Sequence, residues 1–191
     1  MVAALEDKEI ALGDLHFVPF ISEREILDRV SEIGAQINLW NLGDNPLVIS
    51  VLNGAFVFTA DVVRELAFTC EIAFIQLNSY DGTRSKGEIV MEGAQLGVPV
   101  KGRDIIIMED IVDSGLTMFY LVKELQKRKP ASIRIVTLLH KPEMQEFPLS
   151  LDAIGFSIPP EFVVGYGLDY RGLGRNLRSI YKVLPQPEVM G

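Results

Sequence analysis

The sequence predicts an α/β protein with a doubly wound, mostly parallel sheet flanked by helices. Five short apolar runs are rich in Ile and Val without clean alternation, which is typical of parallel strands covered on both faces. Helical patterns lie between some of these runs, and strands that alternate with helices indicate βαβ units. The chain has 191 residues, of which 48% are hydrophobic, so we expect a single domain with a sizeable core.

The predicted helices and strands follow one another along the chain. An N-terminal helix is expected over residues 22–41, with Ser22 as N-cap and Glu25 three residues later in a capping-box pattern. Further helices are expected over residues 55–66 and 117–129 from the helical spacing of their apolar residues. The five predicted strands cover residues 47–52, 72–78, 104–108, 133–139 and 162–165.

Two stretches do not fit this alternation. Residues 79–97 are punctuated by Gly and charged residues, which indicates a hairpin or a mobile loop. Residues 141–160 are rich in Pro and lead to a C-terminal segment, residues 162–184, that we expect to form a small separate lobe. Ligands of such folds bind outside the carboxyl ends of the parallel strands, and we therefore expect the chemistry there.

Composition and charge exclude several classes of function. The 18 Lys and Arg against 26 Asp and Glu give a net charge of −8, so nucleic acid is not expected as a partner. A single cysteine, Cys70, excludes a disulfide framework, and the apolar runs are far shorter than the roughly 20 residues of a membrane span. The acidic N-terminal sequence lacks the pattern of a signal peptide, so the sequence predicts a cytoplasmic protein without a membrane partner.

The loop after the third predicted strand carries the strongest chemical signal. Two adjacent acids, Glu109 and Asp110, precede a short loop whose glycine allows close backbone approach and whose hydroxyls can donate to an anion. The loop residues are Asp113, Ser114, Gly115, Leu116 and Thr117. The alternative is an ordinary strand–loop–helix connection in which Asp113 or Ser114 caps the helix. The two acids would repel each other without a ligand, and a ribose 5-phosphate would resolve this through its hydroxyls and its phosphate.

Residues 105–118 resemble the 5-phosphoribosyl-1-pyrophosphate (PRPP) motif of type I phosphoribosyltransferases. The rest of the chain narrows this resemblance to the hypoxanthine-guanine phosphoribosyltransferases, because further segments are similar to that family's motifs and follow its order. These segments are residues 51–56 (VLNGAF), 78–80 (NSY), 138–141 (LLHK), 155–159 (GFSIP) and 162–170 (FVVGYGLDY), with Arg175 at the family's spacing. The resemblance spans roughly residues 16–184.

The resemblance implies the type I phosphoribosyltransferase fold with a small purine-binding lobe, the hood. A single domain would cover residues 1–191, with a core at about 42–140, a hood from about 1–21 and 141–191, and a mobile lid at about 79–97. The implied reaction transfers the phosphoribosyl group of PRPP to N9 of a 6-oxopurine (hypoxanthine or guanine), which gives IMP or GMP and pyrophosphate. The implied cofactor is Mg²⁺, and the implied assembly is a homodimer or a homotetramer.

The resemblance also assigns roles to individual residues. Asp113 is the implied general base or acid at purine N7, and Lys141 reads the 6-oxo group because an ammonium only donates hydrogen bonds. Contacts to PRPP and the ribose phosphate are implied for Glu109, Asp110, Asp113, Ser114, Gly115, Leu116 and Thr117. Pyrophosphate contacts are implied for Leu52, Asn53, Gly54, Ser79, Tyr80 and Arg175. Purine contacts are implied for Lys141, Phe162, Val163 and Asp169, and metal contacts for Asp169, Glu109 and Asp110.

Two positions depart from the family pattern, and several roles have plainer alternatives. Asn53 and Leu116 stand where the family often has basic residues, so the backbone amides of the 52–54 loop remain for pyrophosphate. The alternatives are a turn-forming role for Asp169, a solvated surface position for Arg175 and a plain core position for Phe162. The competing classes are a regulator of the PRPP fold that binds nucleotides and RNA, and a flavodoxin-like or receiver domain.

Overall fold

The computed structural model of the protein describes residues 8–77 and 96–185. Its elements in chain order are β1 (Ile10–Leu12), β2 (Leu15–Ile21), α1 (Glu23–Asn38), β3 (Leu47–Leu52), α2 (Phe56–Arg64), β4 (Glu71–Gln76), β5 (Asp104–Val112), α3 (Leu116–Lys127), β6 (Ser132–His140), β7 (Ala153–Ser157), β8 (Val163–Val164) and β9 (Ile180–Val183). A short 3-10 turn, Pro142–Met144, follows β6.

Five parallel strands form the main sheet, in the order β4-β3-β5-β6-β7. Its central strands β3, β5 and β6 are rich in Ile, Val and Leu and mostly buried, as expected for strands covered on both faces. α1 and α2 pack on one face through Ile26, Ile33 and Phe58, and α3 packs on the other through Leu121 and Leu125. The predicted doubly wound α/β class is therefore confirmed.

The N-terminal helix begins as the capping-box pattern predicts. The Ser22 side chain accepts a hydrogen bond from the Glu25 amide, while the Glu25 carboxylate accepts one from the Ser22 amide at 2.9 Å. α1 ends at Asn38 rather than at residue 41. The other two helices lie within one to three residues of their predicted ends.

The predicted fifth parallel strand, residues 162–165, is wrong. The fifth strand of the main sheet is β7, which pairs with β6, whereas Val163 and Val164 pair antiparallel with β9 in a different sheet. β7 was missed because Gly155 interrupts its short apolar run. That glycine is required by packing, since a Cβ atom there would lie 2.3 Å from the backbone oxygen of Leu138.

The strand that leads into the PRPP-like motif is longer than predicted. β5 continues to Val112 instead of ending at Met108, and it stays paired with β6 up to His140. Glu109 and Asp110 therefore lie on the strand itself and not in the loop after it. The sheet thus fixes the direction in which both acids point.

A second sheet is built from both ends of the chain. It has the antiparallel order β1-β2-β9-β8, and its own small core contains Phe17, Val164 and Tyr181. The strands from the N-terminal region, β1 and β2, were not predicted, and Pro19 lies in the second of them. This sheet lies in the region predicted as the hood, and we keep that name for it together with the loops 158–162 and 165–179.

Residues 78–95 contain most of the predicted hairpin or lid and lie outside the described part of the chain. The predicted site residues Ser79 and Tyr80 belong to this range, so their contacts stay predictions. Among the described helices, none has the length and apolar character that crossing a membrane requires.

Candidate active site

A cavity of about 230 Å³ opens at the carboxyl ends of β3 and β5, where the fold class predicts ligands. Five segments line it: the end of β3 with the loop after it, Leu77 after β4, the acids on β5, Thr117 on α3 and the hood loop after β8. The predicted site residues that it brings together are Leu52, Asn53, Gly54, Glu109, Asp110, Thr117, Asp169 and Arg175. Three carboxylates and one guanidinium thus face a single small volume.

The loop after β3 packs directly against the acids. A Cβ atom at Gly54 would lie 1.4 Å from Oδ2 of Asp110, so only glycine fits beside this carboxylate. Asn53 is exposed, and the peptide bond that precedes it is cis. The loop therefore offers backbone polar groups and one neutral amide side chain to a ligand.

Of the two acids on β5, Glu109 is buried and Asp110 is partly buried, and this environment disfavours their charged forms. Burial, together with the neighbouring Asp110 charge, holds the pKa of Glu109 well above its ordinary value. Burial also raises the pKa of Asp110, although the Ile111 amide and the Arg175 charge act in the opposite direction. Oε2 of Glu109 is buried without a hydrogen-bond partner among the described residues. Hydroxyl donors or a cation in the cavity would satisfy this pair.

Asp169 and Arg175 form an ion pair at the hood side of the cavity. Nη2 of Arg175 lies 2.6 Å from Oδ1 of Asp169, and its Nη1 donates to the backbone oxygen of Gly167 at 2.7 Å. The Arg175 side chain is only 29% exposed, so it is not a solvated surface arginine. Asp169 also accepts a hydrogen bond from the Gly172 amide at 2.6 Å, so it forms a turn and faces the cavity at once.

The loop between β5 and α3 encloses a second cavity of about 100 Å³. Gly115 is the N-cap of α3 in the left-handed region, with φ of 82°, so the N-cap role predicted as an alternative for Asp113 or Ser114 is wrong. Ser114 instead accepts a hydrogen bond from the Leu116 amide at 3.3 Å. An anion in this cavity would lie beside the amides at the start of a 12-residue helix, where the helix dipole favours negative charge.

Lys141 and Asp113 contact each other at the ends of β6 and β5. Nζ of Lys141 donates to Oδ2 of Asp113 at 3.1 Å, and the Lys141 amide donates to the Val112 oxygen at 3.0 Å. Lys141 is buried, with 9% of its surface exposed. Oδ1 of Asp113 is buried with no hydrogen-bond partner in the described part of the chain, so one carboxylate oxygen is still free to accept a proton or a hydrogen bond.

Phe162 and Val163 lie on the hood sheet and do not line the 230 Å³ cavity. The Phe162 ring is 44% exposed and packs edge-on against Tyr170 at 5.8 Å between ring centroids, so it is not a plain core residue. Val163 is buried, and its strand pairs with β9. The hood therefore presents one half-exposed aromatic face beside a backbone edge.

Two contacts at the site were not predicted. The Tyr166 hydroxyl donates to Asp61 on α2 at 2.5 Å, and Gln145 lies 2.7 Å from the His140 ring. The first pair is separated by 105 residues, and no local spacing could have connected them. Gly165 and Gly167 beside Tyr166 did mark an unusual turn in the sequence.

Comparison with known proteins identifies the family of the chain. Residues 22–171 match the family model of the phosphoribosyl transferase domain. The hypoxanthine-guanine phosphoribosyltransferase of Bacillus subtilis is 45% identical over 86% of this chain and 92% of its own length. The hypoxanthine phosphoribosyltransferase of Escherichia coli is 40% identical over 86% of this chain and 93% of its own length. A solved hypoxanthine-guanine phosphoribosyltransferase from Bacillus anthracis has a TM-score of 0.79 and 37% identity, covering 87% of this chain and 96% of that one. The chain belongs to the hypoxanthine-guanine phosphoribosyltransferase family.

Proposed function

We propose that this chain transfers the 5-phosphoribosyl group from PRPP to N9 of a 6-oxopurine, hypoxanthine or guanine, and releases pyrophosphate in purine salvage. The observation that carries the proposal is one continuous arrangement at the sheet edge. The 52–54 loop, the acids on β5 and the Asp169–Arg175 pair line one cavity, next to a helix N-terminus with an anion-sized pocket. Such an arrangement matches a ligand that carries a ribose between a phosphate and a pyrophosphate.

The two ends of PRPP would bind in the two cavities. The 5′-phosphate would lie on the amides of the 113–117 loop and the first turn of α3, where the left-handed Gly115 leaves the backbone open. The ribose hydroxyls would donate to Glu109, which lines both cavities, and to Asp110, which lines the larger one; the charged forms of both acids are disfavoured without a donor. The pyrophosphate would lie between the backbone of residues 52–54 and the Arg175 guanidinium, a forked donor for phosphate oxygens.

The purine would lie between the β5–β6 junction and the hood. Lys141 can donate to a 6-oxo group but cannot accept from a 6-amino group, which favours hypoxanthine and guanine over adenine. Phe162 would stack on the base, and the Val163 backbone would pair with its edge. Asp113, in contact with Lys141, would exchange a proton with purine N7 as N9 attacks the ribose carbon and pyrophosphate departs.

The residues of the 230 Å³ cavity fit Mg²⁺. This cation prefers one or two carboxylates plus substrate oxygens and water, and the cavity supplies oxygen ligands from Asp169, Glu109 and Asp110. The partnerless buried oxygen of Glu109 agrees with such a role. The described residues hold no group of three or more His, Cys, Asp or Glu side chains placed to hold a metal ion, so at most two of these carboxylates would bind it together and the substrate would supply further oxygens. When bound, Mg²⁺ neutralises the charge of the pyrophosphate group.

Turnover tests the proposal directly. The protein would be mixed with PRPP, Mg²⁺ and hypoxanthine, guanine, xanthine or adenine, and nucleotide formation would be followed by absorbance. We expect IMP or GMP from hypoxanthine or guanine and no product from adenine. No nucleotide from either 6-oxopurine would contradict the proposal. Binding of RNA without turnover would instead favour the PRPP-fold regulator, which the net charge of −8 disfavours.

We also propose that the chain self-associates as a homodimer or homotetramer. Large apolar side chains are exposed on α2 and on β4, the strand at one edge of the main sheet: Phe56 is 42% exposed, Ile72 41% and Phe74 54%. Ile72 and Phe74 lie on the same face of an edge strand, and exposed apolar side chains grouped in this way are typical of surfaces that bind another protein. Light scattering of the wild-type chain and of Phe74→Ser, at matched concentration, would test this. A monomeric wild-type chain would contradict the proposal.

A further inference from the structure

A turn of unusual backbone conformation connects β8 to the cavity. Gly165, Tyr166 and Gly167 follow one another with φ values of 104°, 50° and 104°, all in the left-handed half of the map. Tyr166 is the non-glycine member and carries a conformational cost there, which packing has to offset. Its side chain is 4% exposed, so it is held firmly in the interior.

This turn, residues 165–167, is attached to the core at two points. The Tyr166 hydroxyl donates to Oδ2 of Asp61 at 2.5 Å, and burial together with this contact raises the pKa of Tyr166. A Cβ atom at Gly167 would lie 2.1 Å from the backbone oxygen of Gly54, so the turn also touches the 52–54 loop. Both attachments are to one continuous segment of the chain, because Asp61 lies on α2 and this helix begins directly after the 52–54 loop.

The same turn positions the hood residues of the cavity. The Gly167 amide donates to the Arg175 oxygen at 3.0 Å, and the Gly167 oxygen accepts from the Arg175 guanidinium at 2.7 Å. Arg175 in turn holds Asp169 at 2.6 Å. Any shift of the turn relative to α2 would therefore move Asp169 and Arg175 relative to the 52–54 loop, which lines the same cavity.

We propose that the Tyr166–Asp61 hydrogen bond is a positioning contact that sets the width of the pyrophosphate side of the active site. Neither side chain lines the cavity as the described residues form it, so both act through the turn and through α2. The contact affects the pyrophosphate end of PRPP. The purine side has its own anchors, because the Lys141 amide donates to the Val112 oxygen of β5, and the Phe162 oxygen accepts from the Val183 amide of β9. This inference rests on the proposed transfer of phosphoribosyl groups from PRPP.

Substitutions at the two partners make this testable. Tyr166→Phe and Asp61→Leu both remove the hydrogen bond, and Asp61→Asn keeps an acceptor oxygen for the tyrosine. Tyr170→Phe is the matched control, because Tyr170 makes a similar bond to Asp14 at 2.7 Å, but that bond is exposed and stays within the N- and C-terminal strands and loops of the hood region. The Michaelis constants for PRPP and hypoxanthine, kcat, product inhibition by pyrophosphate and Tm would be measured for each.

We expect Tyr166→Phe and Asp61→Leu to raise the Michaelis constant for PRPP and the inhibition constant of pyrophosphate about tenfold. The Michaelis constant for hypoxanthine is expected to stay unchanged. The double variant, Tyr166→Phe with Asp61→Leu, should have a Michaelis constant for PRPP no higher than that of either single variant. Asp61→Asn and Tyr170→Phe should have the wild-type constants. Equal changes in the constants for both substrates, or a loss that follows Tm alone, would overturn the inference.

A failure of the proposed function would be recognised separately. A wild-type chain that forms no nucleotide contradicts the transfer reaction, and the positioning contact is then judged by calorimetric binding of PRPP with Mg²⁺. Weaker PRPP binding by Tyr166→Phe than by wild type and Tyr170→Phe supports the inference. Equal binding by all three proteins, or no binding by wild type, overturns it.

Discussion

Asp113 and Lys141 show how two neighbouring strands bring acid–base chemistry and base recognition together. β5 and β6 stay paired up to Val112 and His140, so the next residues of the two chain segments, Asp113 and Lys141, lie side by side. Nζ of Lys141 is 3.1 Å from Oδ2 of Asp113. Within this pair, one carboxylate oxygen contacts the ammonium and the other has no partner among the described residues. The lysine thus orients the carboxylate while leaving it one oxygen for a ligand.

Replacing Asp113 with Asn tests its role in proton transfer. The amide oxygen can still accept from Lys141, so the fold and PRPP binding are expected to persist, while kcat falls roughly 100-fold, the scale of lost acid–base help. Steady-state kinetics and calorimetric PRPP binding would measure both quantities. Asp44→Asn, at an exposed position, is the control. Unchanged kcat in Asp113→Asn would leave this residue with a structural role only.

Replacing Lys141 with Gln tests purine recognition. The Michaelis constant for hypoxanthine should rise about tenfold or more, because a charged donor to the 6-oxo group is lost, while the constant for PRPP changes little. Turnover should fall as well, since Asp113 loses the partner that orients it. Lys101→Gln, an exposed lysine, serves as control. Weaker PRPP binding with an unchanged hypoxanthine constant would show that the assignment is wrong.

At the scale of elements, the segment after the 3-10 turn braces the phosphate loop. The amides of Glu146 and Phe147 donate to the Ser114 oxygen at 3.0 and 3.1 Å, and Leu149 packs where a Cβ atom at Gly115 would lie. Gln145 holds this segment in place through the His140 ring and through the backbone oxygen of Phe147. The phosphate loop is therefore supported from behind by residues that the family motif does not include.

Gln145→Met would remove these hydrogen bonds while keeping a side chain of similar length. We expect the Michaelis constant for PRPP to rise about fivefold, which corresponds to about 1 kcal/mol for one ordinary hydrogen bond. The constant for hypoxanthine should not change, because Lys141 is held by β5 and β6. Glu143→Gln, exposed in the adjacent turn, is the control. If Gln145→Met binds PRPP as well as wild type does, the brace has no functional role.

At the scale of the whole molecule, local sequence signals predicted the main sheet and helices better than the hood. β3, β5 and β6 are continuous apolar runs and α1 carries a capping box, so each was recognisable alone. The hood strands are short, and Pro19 and Gly155 interrupt the apolar pattern near the regions that were missed or misassigned. Their pairing joins opposite ends of the chain, and such long-range contacts leave no local periodicity.

The site shows the same division. The residues of one continuous motif, from Glu109 to Thr117, could be named in advance, and several of them line the two cavities, while their roles stay predictions. The Tyr166–Asp61 contact joins two segments that only the folded chain brings together, and Gln145 acts from behind the motif. Residues that position others therefore need the structure, because their chemistry is ordinary and only their location makes them functional.

The buried Glu109 makes the stability of the whole chain depend on pH. The pKa of Glu109 in the folded chain lies well above its ordinary value of 4.5, so the folded state binds more protons than the unfolded state between these values. This group therefore makes its full contribution to stability below about pH 4.5 and loses it as pH rises through its folded pKa. Acids with a lowered pKa, such as Asp104, have the opposite dependence.

Glu109→Gln isolates this effect, because the amide keeps the shape of the side chain and cannot ionise. The Tm of this variant should equal that of wild type at pH 4. At pH 8 it should be higher by about 2 °C or more, which corresponds to about 1 kcal/mol in the free energy of unfolding for a chain of this size. The same variant should bind PRPP with Mg²⁺ more weakly, because the carboxylate that would contact the ribose hydroxyls and the cation is replaced by a neutral amide. Calorimetric melting across this pH range, with and without PRPP and Mg²⁺, would measure both. A Tm difference between the two proteins that does not grow with pH would mean that burial of the Glu109 carboxylate carries no electrostatic cost.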